Sequence, residues 1–398
     1  MRIILASPTF LPARRANTIQ VMKMAEAFTQ LGHPLEVLVP TGPDQAGGSG
    51  ADWPSLADQY GLEREFPVVW LAARPIWRGV DFASRVLRYA QRQSADLIFT
   101  RHPQTAGLAA RLGQAVIYEL HDLPMSAGGR FWLRLFLKST GRRGLVAISR
   151  ALAADLLTEF RIPAAEILIA PDGVDLRRYQ DLPEPRAARQ ALQRSAGLPL
   201  AVDRFTLGYT GHLYPGRGVD LILGLAAQLK DVSLLIAGGE DVDRIRLEER
   251  VRRAGLENII LAGHIPNAQL PLYQAACDIL LMPYQRRVAS SSGGDIARYL
   301  SPMKVFEYMA CGRAILSSDL PALQEVLTPQ NAVLLPGGEV GAWAAAVNEL
   351  RNSPEKRRRL AEQARRDVRQ YEWKIRAEKI LADTSGPHSI TGQAGHVE

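Results

Sequence analysis

Apolar and polar positions alternate along the chain in a regular rhythm. Short apolar runs at residues 3–6, 35–39, 68–71, 97–100, 116–120 and 145–148 read as buried strands. Between them lie stretches of helical period, such as 18–31, with Val21, Met24, Ala25 and Phe28 on one face and Gly32 at the end, and 80–93. Strand, helix and strand repeated in this way predict a parallel sheet covered on both faces. From about residue 181 to 203 the rhythm breaks at Pro183, Pro185 and Pro199, as an interdomain linker does. It then restarts with strands expected at 205–209, 234–237, 259–261, 279–282, 314–316 and 333–335. The expected organisation is an N-terminal α/β domain over 1–180, the linker 181–203, and a second α/β domain over 204–370. A helix over 371–383 returns toward the first domain, and a small polar tail over 384–398 is expected to be disordered. The glycine-rich stretch 41–55 reads as a long surface loop.

Composition narrows this picture. With 47% hydrophobic and 22% charged residues, both domains have enough apolar material for cores, which excludes a disordered chain. Cys277 and Cys311 have no metal-ligand spacing and cannot form a disulfide framework. The first residues, ending at Pro8, read as a strand rather than a signal peptide, and no run approaches the roughly 20 apolar residues of a membrane span. A cytoplasmic protein is therefore expected, with any membrane contact peripheral. The net charge of +7 suits a phosphate-bearing ligand or an anionic surface. Nucleic acid is not expected, because no recognition motif or stacking array accompanies the basic residues. Much of the excess lies in 73–143. There Arg130, Arg134, Lys138 and Arg142, with Arg143 beside them, follow helical spacing next to Phe131, Trp132, Leu135 and Phe136. Such a helix over 130–143 suits an anionic membrane interface, or is a domain helix with a solvated basic face.

Three segments carry candidate chemistry. At Gly208-Tyr209-Thr210-Gly211-His212-Leu213-Tyr214-Pro215-Gly216-Arg217-Gly218 a strand ends in a glycine-rich turn with Arg217 before a helix. That arrangement gathers amides and a guanidinium where a phosphate can bind, without the spacing of a Walker or dinucleotide loop. At Ser301-Pro302-Met303-Lys304-Val305-Phe306-Glu307, Ser301 is a candidate N-cap and Pro302 a first helical residue. The free amides near Met303 and Val305, the helix dipole and Lys304 favour an anion. Glu307, on an otherwise apolar face, calls for a partner such as a ribose diol. At Tyr118-Glu119-Leu120-His121-Asp122 a buried strand delivers His121 to the carboxyl end of the sheet, where such folds bind ligands. The D-x-D at Asp241 and Asp243 is expected to cap a helix rather than hold a metal, and no metal site is expected.

Together these residues resemble the family 4 glycosyltransferases, retaining enzymes of the GT-B fold. Further matches are Pro171-Asp172-Gly173-Val174-Asp175, Asp278 to Tyr284, Ser318-Asp319, Glu325-Val326 and Ala16-Asn17-Thr18, so the similarity spans about residues 1 to 382. The resemblance implies two Rossmann-like doubly wound domains facing an interdomain cleft. It also implies transfer of a sugar, with retention, from a UDP- or GDP-sugar to a glycan, lipid-linked or small-molecule acceptor. No cofactor is implied, the nucleotide-sugar being substrate. Donor-binding residues would be Gly211, His212, Arg217, Ser301, Met303, Lys304, Val305 and Glu307, with His121, Arg217 and Glu307 serving the reaction. Two departures stand out: the family's first glutamate, eight residues before Glu307, is Tyr299 here, and His212 stands where an arginine is common. An inactive nucleotide-sugar-binding partner protein and a GT-B epimerase are the alternatives.

Overall fold

A computed structural model describes residues 1–41, 50–72, 79–289 and 295–383. The tail 384–398 and residues 42–49 of the glycine-rich stretch lie outside the described residues. The first sheet contains β1 (Ile3–Ala6), β2 (Leu35–Pro40), β3 (Val68–Leu71), β4 (Leu97–Thr100), β5 (Val116–Leu120), β6 (Arg142–Ala147) and β7 (Ile167–Ile169). Its order is β3-β2-β1-β4-β5-β6-β7, all parallel. The second contains β8 (Thr206–Thr210), β9 (Ser233–Ala237), β10 (Ile259–Gly263), β11 (Ile279–Met282), β12 (Ala314–Ser318) and β13 (Val333–Leu335), in the order β10-β9-β8-β11-β12-β13, also parallel. Both are the doubly wound sheets that the strand rhythm predicts. The central strands are buried end to end because helices cover both faces. Strand order reverses between β1 and β4 and between β8 and β11, and a crevice opens at the carboxyl ends at such switch points.

The helix expected at 18–31 runs Ala16–Gln30 and buries Val21, Met24, Ala25 and Phe28 in the first domain's core, where Phe28 meets Phe99 edge-on at 5.3 Å. Leu31 caps it and Gly32 follows at φ +83°. The short edge strand β7 has no counterpart in the expected set. The segment 181–203 does more than join the domains. Its helix Pro185–Ala196 packs Ala188 and Leu192 into the second core, and buried Arg189 donates to Asp278 at 3.0 Å and to the Ala276 carbonyl at 2.9 Å. At the other end of the chain, the helix Trp373–Asp383 places Trp373, Ala377 and Ile380 in the first domain's core.

The basic segment folds differently from the single helix expected at 130–143. The helix runs Ala127–Leu137, and Arg142 opens β6 and pairs with Glu166 at 2.6 Å. Gly141 explains the break: a Cβ there would stand 2.1 Å from the Gln114 carbonyl, so the chain turns tightly against the neighbouring loop before entering the sheet. Arg130 leans on Glu159 at 3.5 Å and over the Phe160 ring, leaving Arg134 and Lys138 exposed beside Phe131.

The two domains touch across the cleft through specific polar contacts. Glu325 accepts from the amides of Arg150 and Ala151, at 2.8 and 3.0 Å, at the start of the first-domain helix Arg150–Phe160. A carboxylate at that end also suits the helix dipole. One turn on, Asp155 accepts two bonds from Arg298 and one from the Tyr299 hydroxyl, each 2.6 Å.

Candidate active site

A cavity of about 440 Å³ lies between the sheets, at the carboxyl ends of β4, β5 and β8. Of the residues singled out from the sequence, it gathers His121, Gly211, His212, Arg217, Ser301, Met303, Lys304 and Glu307.

On the second-domain wall, the turn after β8 folds over the first turn of the helix Met303–Cys311. Gly211 sits at φ +131°, and a Cβ there would stand 2.7 Å from the Lys304 Nζ, so the close approach requires glycine. Lys304 Nζ is buried without a hydrogen-bond partner and lies 4.1 Å from the Tyr209 ring centroid and 5.3 Å from that of Tyr284. Burial, then the charge of Arg217, lowers its pKa well below the ordinary lysine value, against the pull of Glu307. An arriving anion would restore the ammonium. Arg217 donates to the Tyr284 hydroxyl at 3.0 Å and to the Ala289 carbonyl at 3.4 Å, while its Nε is buried and unpartnered. Two basic side chains, each with an unpartnered nitrogen, thus flank one space. Glu307 accepts from Gln274 at 3.3 Å.

Three expectations for this wall change. Ser301 does not cap the helix: Pro302 holds the N-cap position, and the Ser301 hydroxyl accepts from the Asp172 amide at 3.1 Å. Val305 is buried in the second core and its amide donates to the Pro302 carbonyl at 2.9 Å, so it offers nothing to the cavity. The amides of Met303 and Lys304 have no intrahelical acceptor by helix geometry. His212 stacks on Tyr214 with ring centroids 4.7 Å apart, and its pKa falls to about 4 through burial, then repulsion from Arg217 and Lys304. It is therefore a neutral imidazole near pH 7. The D-x-D lies in the first turn of the helix Asp241–Arg253, whose N-cap is Glu240. Among the described residues, no group of three or more His, Cys, Asp or Glu is placed to hold a metal ion.

On the first-domain wall, Glu119 is a fully buried carboxylate on β5. It accepts from Arg376 at 2.7 Å and Gln20 at 2.6 Å and contacts His121 Nε2 at 2.5 Å. Burial alone would raise its pKa, but Arg376, His121 and Arg101 together hold it far below the ordinary carboxylate range. The His121 pKa falls to about 4, through burial and then the charge of Arg101. A neutral ring beside an ionised carboxylate must carry its proton on Nε2, which leaves Nδ1 as an acceptor. Arg101, also lining the cavity, donates to Gln20 at 3.0 Å.

Sequence reasoning did not single out Arg101, Gln274 or Arg376, and met Tyr284 only as the end of a motif. Each is set by contacts across the fold, and Arg376 reaches Glu119 from 257 residues away. Asp172 was visible only as part of a motif. It lines the cavity with 6% exposure, and burial lifts its carboxyl pKa to about 7.

Residues 18–178 match the family model described as Glycosyltransferase Family 4, and residues 204–353 match that described as Glycosyl transferases group 1. A D-inositol 3-phosphate glycosyltransferase of Corynebacterium urealyticum is 25% identical over 250 residues, covering 60% of this chain and 55% of that one. The chain thus spans about half the length of that relative. A phosphatidyl-myo-inositol mannosyltransferase of Mycolicibacterium smegmatis is 22% identical over 392 residues, 96% of this chain and 92% of the relative. The crystal structure of Anabaena HepE in complex with UDP-glucose superposes with a TM-score of 0.72 at 18% identity, covering 97% of this chain and 100% of that one. This likeness shows that the two-domain fold is the GT-B arrangement.

Proposed function

Because the chain belongs to glycosyltransferase family 4, we propose that it moves a sugar from a UDP- or GDP-sugar to a hydroxyl acceptor, with retention of configuration and without a metal ion. The observation that carries this reading is the pair of unpartnered basic nitrogens, Lys304 Nζ and Arg217 Nε, buried around the Gly211 turn. As the bond from the anomeric carbon to the phosphate breaks, negative charge grows on the departing oxygens. Fixed cations and the helix N-terminus in a water-poor cleft are suited to stabilise it. Glu307 would hold the ribose, and Nδ1 of His121 would accept from a hydroxyl of the transferred sugar. The acceptor would attack on the face the diphosphate leaves. HepE binds UDP-glucose in its crystal structure, which supports a nucleotide-sugar donor.

The acceptor is proposed to be glycosidic, lipid-linked or otherwise anionic, approaching from the first domain. Arg101 and Arg15 on the cavity wall support this, as do the phosphate-bearing acceptors named in two relatives. Met125 and Phe131, 65% and 57% exposed, stand beside exposed Arg134 and Lys138, a combination suited to peripheral contact with the inner face of an anionic membrane. Among the described residues no helix is long and apolar enough to cross a membrane. The test is a panel of UDP-, GDP- and ADP-sugars offered with lipid and soluble acceptors, followed by identification of the product. A glycosylated acceptor with retained anomeric configuration is expected. Nucleotide binding with no transfer or hydrolysis of any donor would overturn the reading. Cosedimentation with anionic vesicles at low salt, lost in Arg134→Glu/Lys138→Glu, is the expected membrane result; no binding at low salt would remove it.

A further inference from the structure

Asp172 sits where the chain crosses between domains, and its backbone is fixed from three sides. Arg376 donates to the Ala170 and Pro171 carbonyls, at 2.9 and 2.7 Å. The Asp172 amide donates to Ser301, and two residues on, the Val174 amide donates to the Tyr371 carbonyl at 3.0 Å. This strap presents the carboxyl to the cavity. Among the described residues nothing hydrogen-bonds to that carboxyl, and its Oδ1 is fully buried without a partner. The nearby cations are engaged elsewhere: Arg376 with Glu119, and Arg101 with Gln20. Neighbouring polar groups on the same wall are engaged too. The Tyr299 hydroxyl donates to Asp155, and the Ser301 oxygen accepts from the Asp172 backbone.

A buried acid with no partner costs stability and serves no packing purpose that an asparagine would not serve as well. We infer that the Asp172 carboxyl is a ligand-binding group of the cleft that holds a sugar or polyol hydroxyl. The inference rests on the glycosyltransferase reading and adds to it a group that recognises the part of the substrate bearing hydroxyls rather than phosphate. A carboxyl bonds to hydroxyls, two at once when they are vicinal, and repels phosphate when ionised. The cavity therefore has two chemical ends, with diphosphate at Lys304 and Arg217 and hydroxyls at Asp172. The rise of its pKa toward 7 fits a carboxyl waiting for such a partner.

The hydroxyl belongs to the donor sugar or to the acceptor, and titration of Asp172→Asn tells the two apart. Calorimetry measures Kd for the nucleoside diphosphate alone and for the nucleotide-sugar, and steady-state kinetics measures acceptor KM. Diphosphate affinity is expected to stay within about twofold of wild type. Either nucleotide-sugar affinity falls or acceptor KM rises, by roughly 10-fold to 100-fold, the effect of losing a hydrogen bond to a charged group. The first result places the hydroxyl on the donor and the second on the acceptor. The inference is overturned if sugar affinity and acceptor KM both stay at wild-type values, or if diphosphate affinity falls as much as sugar affinity, which marks a structural role. Wild-type protein that binds no nucleoside diphosphate would instead sink the glycosyltransferase reading itself.

Discussion

Replacing Asp172 by asparagine should stabilise the free protein, increasingly so as pH rises. The carboxyl is 6% exposed and has no partner, and burial moves its pKa from 3.8 to about 7. An acid with a raised pKa binds more protons folded than unfolded between the two values, so stability falls as pH rises through that interval. At about 1.4 kcal/mol per unit, most of the loss accumulates between pH 4 and 7 and is complete above pH 7. Asparagine has the same shape and does not titrate. Its advantage over wild type should therefore grow by about 2–3 kcal/mol between pH 5 and pH 8. For a domain of this size that is a change of roughly 5–10 °C in relative Tm. Thermal unfolding of both proteins at the two pH values, without ligand, measures it. If the variant gains nothing at pH 8 relative to pH 5, Asp172 is not a buried unpartnered acid. A variant more stable yet worse at binding sugar or acceptor would show that the residue is kept for its ligand.

Three further outcomes follow from the cleft. Gly211→Ala places a Cβ 2.7 Å from the Lys304 Nζ at φ +131°, so it should weaken nucleoside diphosphate binding at least tenfold in titration calorimetry while circular dichroism stays native. Arg217→Ala and Glu307→Ala should each lower kcat/KM by about 100-fold, and near-normal rates would reject the role given to that residue. Because the His212 pKa falls to about 4 through burial and then neighbouring cations, its imidazole gains charge only as pH drops below that value. His212→Gln should therefore change diphosphate affinity by the same factor at pH 6 and pH 8, and a loss confined to pH 6 would show a cationic ring.

The strands were legible because a parallel sheet buried on both faces needs unbroken apolar runs, and such runs stand out against charged helices. β7 escaped because an edge strand of three residues, with Ile169 at 41% exposure, has neither length nor alternation. The helix 127–137 was legible as amphipathic, but its end was not. The i, i+4 spacing of basic residues continues to Arg142 although the chain has turned at Gly141 and entered β6. In the site, Arg217, Lys304 and Glu307 could be placed because each sits at a local turn or helix start whose geometry the sequence encodes. Ser301 illustrates the limit. A serine before proline is a good cap by local rules, but its hydroxyl is claimed by the Asp172 amide 129 residues away. Neither the Tyr299 to Asp155 bond nor the Arg376 to Glu119 bond has a local signature, since both join segments that only the assembled domains bring together.

The central claim is that two basic side chains with unpartnered nitrogens in the interdomain cleft, Lys304 and Arg217, bind the diphosphate of a nucleotide-sugar. Calorimetric titration of UDP and GDP into wild-type protein and Lys304→Met tests it most directly. Saturable one-to-one binding of at least one nucleotide to wild type, weakened tenfold or more in the variant, is the predicted result. Equal affinity in the two proteins, or no binding to wild type, would contradict it.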